Sequence, residues 1–280
     1  MKLTPWFSPV LNKRTMTTAR NRSFAAAGLL LFWSHPATAN DLCPERPGQT
    51  TPPCIVEPGH IILETSVADW ALQRSPGNRV DTITVGQSTL RIGIAEHTEV
   101  SIGWTPFAVA DARDMATGLL DHRSGPGDVT LAVKHSFGGG SSPPFAIKVF
   151  ATLPVGRAPS GLGDWSAGML APMSLPLTDA IQLALTPEID AAASSSGKGR
   201  HLAFGSAAGI GFKLTNKISL GSDIRILRDD DPSGSATKAT AGLSLAVQSG
   251  DNLQYDIGSN VGLNSNSSDV EVYFGIAKRF

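Results

Sequence analysis

Beyond residue 40 the sequence has no continuous apolar run of the ~18 residues that a membrane-crossing helix needs, which excludes a helical membrane protein. No segment carries a 3.6-residue apolar stripe for more than two turns, so a substantial amphipathic helix is also missing. Charge is scarce: Asp, Glu, Lys and Arg make up 17% of the chain, against about 25% in an ordinary soluble domain. That shortfall leaves room for a surface that meets a solvent other than water. Aromatic residues are only 6%, and there are two cysteines. What the 280 residues do contain is 29 Gly and 19 Pro, with many Ser and Thr, the mix expected of numerous strands separated by turns.

Residues 1–39 read as an export signal. Lys13, Arg14, Arg20 and Arg22 precede the apolar run FAAAGLLLFW at 24–33, and Ala37-Thr38-Ala39 supplies a small-x-small cleavage site. Ten apolar residues are too few to span ~30 Å of hydrocarbon as a helix. The 22 residues before the run are long for such a signal, and a start at Met16 would bring them to ordinary length. Removal of Lys2, Lys13, Arg14, Arg20 and Arg22 leaves 18 basic against 24 acidic side chains, a formal charge of −6. No basic stripe remains to bind nucleic acid.

Both cysteines, Cys43 and Cys54, follow the cleavage site in CPERPGQTTPPC. An exported chain passes through an oxidising compartment, where an isolated pair is expected to form a disulfide. CxxC spacing and a second ligand pair are both lacking, so neither a redox motif nor a metal site is expected. The Pro-rich segment 40–59 is therefore predicted as a stapled periplasmic loop ahead of a domain spanning 60–280.

From residue 60 the chain breaks into runs of alternating apolar and polar residues, the strand period of two. Twelve strands are predicted: 60–70, 81–95, 98–108, 127–137, 144–154, 165–176, 180–190, 201–213, 217–227, 238–248, 252–261 and 269–280. In the last, Val270, Val272, Phe274, Ile276 and Phe280 share one face, with Glu271, Tyr273, Gly275 and Ala277 on the other. Strands of 10–12 residues suit a tilted crossing of a bilayer better than the five or six residues usual in soluble sheets. Pro172 and Pro176 make the sixth strand the least secure and the fourth is short; a ten-stranded count requires both to fail.

Short links (96–97, GGGSSP at 138–143, 177–179, 214–216 and 249–251) alternate with longer ones (71–80, 109–126, 155–164, 191–200, 228–237 and 262–268). This asymmetry predicts an all-β, antiparallel transmembrane barrel with tight periplasmic turns and longer extracellular loops. An open edge in hydrocarbon would leave backbone N–H and C=O groups unpaired at several kcal/mol each, so the last strand should close on the first.

Four stretches, LRIGIAEHTEVSIGW (90–104), GPGDVTLAVKHSF (125–137), PFAIKVFATLPVG (144–156) and VEVYFGIAKRF (270–280), with the hairpin-like 163–190 between them, resemble a family of outer-membrane proteins named after the meta-pathway of phenol degradation and labelled as transporters. The resemblance implies an outer-membrane barrel that admits small hydrophobic or aromatic compounds. Likeness to known barrel proteins also marks the terminal Phe280 as a signal to the barrel-assembly machinery. The expected partners are thus outer-membrane lipid and lipopolysaccharide, that machinery during insertion, and a small-molecule solute.

On the polar faces, Glu64, Arg91, Lys148, Glu188, Asp190, Asp223, Arg225, Gln254, Asp256 and Glu271 are the candidates to line a lumen. Enclosed charges must be paired or hydrated, so they either steer a solute or close the pore with ion pairs. The acidic run Asp229-Asp230-Asp231 lacks the ligand spacing of a calcium loop. Neither a cofactor nor a metal is expected, and no dinucleotide-binding loop occurs, since the glycines of 205–214 lie in an alternating strand. Two other readings stay open: a non-conducting structural or adhesive barrel, and an acyl-processing enzyme. Among His60, His97, His122, His135 and His201, the neighbours His135 and Ser136 point to opposite faces of a strand, which leaves His122 with Ser124 as the best candidate for the latter.

Overall fold

A computed structural model describes residues 42–137 and 144–280; the predicted export signal, its cleavage site and the GGGSSP link lie outside the described residues. No helix is present among the described residues, and fifteen strands form one sheet. In chain order these are β1 (Ile61–Ser75), β2 (Asn78–Ala95), β3 (Thr98–Trp104), β4 (Phe107–Asp114), β5 (Leu120–Gly125), β6 (Val129–Phe137), β7 (Phe145–Leu153) and β8 (Ser166–Leu170). They continue with β9 (Met173–Pro176), β10 (Ile181–Ala193), β11 (Arg200–Lys213), β12 (Ile218–Asp229), β13 (Ala236–Gln248), β14 (Leu253–Gly262) and β15 (Val270–Arg279).

These fifteen strands make twelve staves, because three staves are each broken once, and at a proline every time. β3 and β4 are interrupted at Thr105-Pro106, β5 and β6 at Pro126-Gly127-Asp128, and β8 and β9 at Ala171-Pro172. Proline has no N–H to give a ladder. The gaps are bridged elsewhere: Gly127 N–H donates to Thr105 O (2.8 Å), and Ala146 N–H to Pro172 O (2.8 Å). The predicted sixth strand is thus a single stave in two pieces, and the count of twelve holds.

Every neighbouring pair is antiparallel, and the sheet closes on itself. β1 pairs with β2 from Ile61↔Ile92 to Ser75↔Asn78, and with β15 from Ile62↔Arg279 to Leu72↔Val270. A bulge between Ser66 and Ala68 shifts the β1–β15 register. Phe280 extends the seam, donating its N–H to Ile61 O (2.8 Å) and accepting from Ile61 N–H (3.3 Å).

Two of the predicted long links prove to be strand. Residues 71–80 continue β1 and β2 up to a turn at Pro76-Gly77, and 109–126 form most of β4 and β5 around a turn at 115–119. Together they extend the wall on one side. Their alternation is hidden because the outward positions turn polar: Arg79 and Trp70 bond to Asp81, and His122 to Asp111 (2.6 Å). Backbone pairing continues where hydrophobic patterning stops, as expected of strands that run past the hydrocarbon.

Lower on the wall the outward face is apolar all round the barrel. Ile102, Leu131, Val149, Met169, Leu183, Ile224, Leu243, Ile257 and Phe274 are all exposed, Leu243 by 54% and Ile257 by 51%. A belt of this extent is incompatible with water and matches the lipid-facing band of a transmembrane barrel.

Candidate functional site

The barrel interior is occupied by the chain's own N-terminal segment. Cys43 and Cys54 form the predicted disulfide, with Cα atoms 6.2 Å apart. The stapled loop does not sit ahead of the barrel as the sequence reading places it; residues 43–56 lie inside. The physical reason is polar complementarity, since the inward faces of ten staves supply acceptors and donors that an irregular segment rich in proline cannot provide for itself.

Six charges meet at the end of the lumen near the short turns. The Arg91 guanidinium, fully buried, reaches Glu64 Oε1 with Nη1 (2.8 Å) and Glu99 with Nε (3.0 Å) and Nη2 (2.8 Å). Arg91 Nη1 also donates to the carbonyl of Cys43 (2.6 Å). Glu45, from the stapled loop, accepts from Lys134 Nζ (3.0 Å) and Lys148 Nζ (2.6 Å), and Lys134 lies 3.2 Å from Glu99. Three cations thus face three carboxylates, and the barrel wall supplies only two of the latter. The loop is fastened at both ends: Glu64 accepts the N–H groups of Glu45 and Arg46 (3.0 Å each), and Glu99 that of Val56 (2.7 Å).

From this cluster the segment crosses to the opposite wall. Arg46 bonds to both oxygens of Asp256 (3.0 and 3.3 Å) and lies 5.5 Å from the Tyr273 ring centre, while its carbonyl accepts from Gln254 (3.0 Å). Gly48 N–H donates to the Tyr273 hydroxyl (3.1 Å). Gln49 donates to Asp223 through its N–H (3.1 Å) and Nε2 (2.7 Å) and accepts from Thr240 (2.6 Å). Thr51 N–H donates to Thr186 (2.9 Å).

Two glycines make room for this path. A Cβ on Gly275 would stand 2.3 Å from the Arg46 guanidinium, and one on Gly93 would stand 2.1 Å from Glu57 O, where the segment passes over β2 on its way to β1. Beside the segment lie cavities of about 160 and about 230 Å³, both bordered by Gln87.

A family model described as "Putative MetA-pathway of phenol degradation" matches residues 46–280. The chain belongs to this family. The match includes most of the lumen segment, β1 and the part of β2 before residue 90, all upstream of the stretches that carry the resemblance in sequence. Among solved structures, the fold is similar to that of the COG4313 outer membrane channel from Pseudomonas putida F1, with 11% identity, a TM-score of 0.65, and coverage of 81% of this chain and 97% of that one. The NanC porin (8% identity, TM-score 0.48, 78% of this chain and 98% of that one) and the KdgM porin (10%, 0.48, 79% and 99%) are more distantly similar. No curated protein matches. Closed topology, apolar belt and family together make this member of the phenol-degradation family an outer-membrane β-barrel.

In this family member the ten candidate residues occupy inward positions but divide by partner. Glu64, Arg91, Lys148, Asp223, Gln254 and Asp256 hold the lumen segment, as above. Glu188 and Arg225 pair with each other across β10 and β12 (2.6 Å), and Glu271 accepts from Asn260 (3.0 Å). Asp190 lies against Gly168 of the neighbouring stave, and its Oδ1 has no hydrogen-bond partner among the described residues. Sequence reasoning missed Glu99, Lys134 and Tyr273, which share the polar parity of their strands, and the lumen residues Glu45, Arg46 and Gln49.

The acidic run serves the outer loops. His201 sits between Asp229 (2.5 Å) and Asp231 (3.6 Å), and Asp230 pairs with Arg228 (2.7 Å). N–H groups of Ser195 and Ser233, with the Ser233 hydroxyl, hold the Asp231 carboxyl well below the usual range. Asp164 is lowered likewise by the N–H groups of Gly199 and Trp165, and Arg200 stacks 3.7 Å over the Trp165 ring. These contacts join the β8, β10–β11 and β12–β13 ends of the wall into one rim.

Proposed function

We propose that this protein is an outer-membrane channel for small solutes, with hydrophobic or aromatic compounds as its cargo class, and that residues 43–56 are its stopper. The observation that carries this reading is how the lumen is filled. A barrel with a purely structural task can pack its interior with wall side chains. Here the inner wall instead carries Gly93, Gly209 and Gly275, where a Cβ would stand 2.4, 3.2 and 2.3 Å from Val56 O, Thr50 and Arg46, and the space they leave is taken by a separate segment held through polar contacts. Hydrogen bonds of that kind exchange with water at little net cost, and Pro53 and Val56 are the segment's buried apolar residues, so its departure would expose little apolar surface.

Aromatic cargo is supported by the pathway in the family's name. Lipid and lipopolysaccharide would meet the apolar belt, and Phe280, exposed at the end of the closing seam, would be presented to the assembly machinery. Expression in a Gram-negative host should raise the initial uptake of radiolabelled phenol and toluene severalfold at micromolar solute. Equal uptake with and without the folded barrel in the membrane would refute the cargo assignment.

A further inference from the structure

Only one pair of the six-charge cluster is open to the lumen. The side chains of Arg91, Lys134, Glu64 and Glu99 are 0–3% exposed, whereas Lys148 is 14% and Glu45 17% exposed. Lys148 also lines the larger cavity, of about 230 Å³, with Gln87, Thr89, Ser101 and Thr130 around it. An ammonium carries three N–H donors. Among the described residues the hydrogen-bond partner of Lys148 is Glu45 alone, so two donors are left for a guest. Asp128 borders the same cavity, but its oxygens accept the N–H groups of Gly156 (2.8 Å) and Leu162 (2.7 Å). It stands six residues along the stave from Lys134, which pairs in register with Lys148, a separation of about 20 Å at ~3.3 Å per residue.

We propose that this cavity binds the oxygen-headed anion of a small solute, a carboxylate or phenolate on a single ring, and that the anion takes the place of Glu45 on Lys148. The inference rests on the channel reading for its consequence, release of the stopper. Charge balance favours exchange over addition. With three cations matched to three carboxylates, an extra buried anion would be uncompensated, whereas one carboxylate replacing another preserves the neutral cluster. Glu45 would leave the cluster, giving up its ion pairs to Lys148 and Lys134, two of the ties holding the stapled loop, while Lys134 keeps Glu99 at 3.2 Å. The cavity is smaller than the ~300–1,000 Å³ of drug-sized sites, which sets the one-ring limit. Hydroxyl groups on its wall suit a carboxylate's remaining lone pairs and offer nothing to a hydrocarbon.

The test is calorimetric titration of the refolded full chain in detergent micelles with benzoate and with its neutral counterpart, benzyl alcohol. Benzoate should bind one to one, at least tenfold tighter than the alcohol, and Lys148→Gln should weaken it tenfold or more. Ser101→Ala with Thr130→Val, which leave the charges in place, should weaken it severalfold. Equal binding of acid and alcohol, or benzoate affinity unchanged in folded Lys148→Gln, would overturn the site. If Lys148→Gln does not fold, the cavity-wall variant decides alone, and unchanged affinity there overturns it too. Benzoate binding with no solute uptake would instead sink the channel reading and leave the site standing.

Discussion

Replacing Arg91 with methionine is expected to destabilise the folded barrel by about 3–5 kcal/mol, the cost of leaving buried charge without its partner. The guanidinium is fully buried and bonds at once to Glu64, Glu99 and the Cys43 carbonyl. Without it, three carboxylates share the two lysines, and the stapled loop loses the tie at its first cysteine. Lysine is a poor substitute, because a point charge cannot span two carboxylates and a carbonyl as a planar fork does. The double variant Arg91→Met, Glu64→Gln should recover much of the loss, since it removes one charge of each sign and leaves Lys134 and Lys148 facing Glu45 and Glu99. Urea unfolding in lipid vesicles, followed by tryptophan fluorescence, measures all of these. A loss below about 1 kcal/mol for Arg91→Met would show that the cluster is as weakly coupled as a surface pair.

The second large effect lies on the other face of the wall. Ile257 is central in β14, flanked in register by Leu245 and Phe274, and is half exposed on the apolar belt. Ile257→Arg should cost about 2–4 kcal/mol, the penalty for arginine near the bilayer midplane. Met115→Arg is the control: Met115 lies in the turn that tops the extended wall, is 61% exposed, and should tolerate the charge within about 0.5 kcal/mol. Equal costs at the two positions, by the same unfolding measurement, would mean that the belt is misplaced.

The contrast between the two faces also explains how much was legible in the sequence. A period of two assigns each side chain to one side of a sheet, which is why Glu64, Arg91, Asp223 and Asp256 could be picked out as inward. Glu99 and Lys134 obey the same rule and were equally accessible to it. Hydrophobic alternation, however, reports contact with lipid and not backbone pairing. It therefore ends near Trp70 and Ile83, although β1 and β2 run on to Ser75 and from Asn78. The stopper was legible only as a staple. Cys43 and Cys54 announce a closed loop, but no periodicity tells where an irregular segment docks. The partners of Glu45, Arg46 and Gln49 lie on staves as far as 210 residues away in the chain. A retrospective clue exists in the charge count, for Arg91, Lys134 and Lys148 outnumber Glu64 and Glu99 on the wall around them.

On the channel reading proposed above, residues 43–56 close the lumen and can leave it. Single-channel recording in planar bilayers tests this directly by comparing the wild-type protein with the double variant Glu45→Gln, Arg46→Gln, which removes the ion pairs to Lys134, Lys148 and Asp256 while sparing the wall and the disulfide. The wild type should be mostly closed with brief openings, and the double variant should stay open at least tenfold longer. A folded double variant that conducts no more than the wild type would contradict the claim.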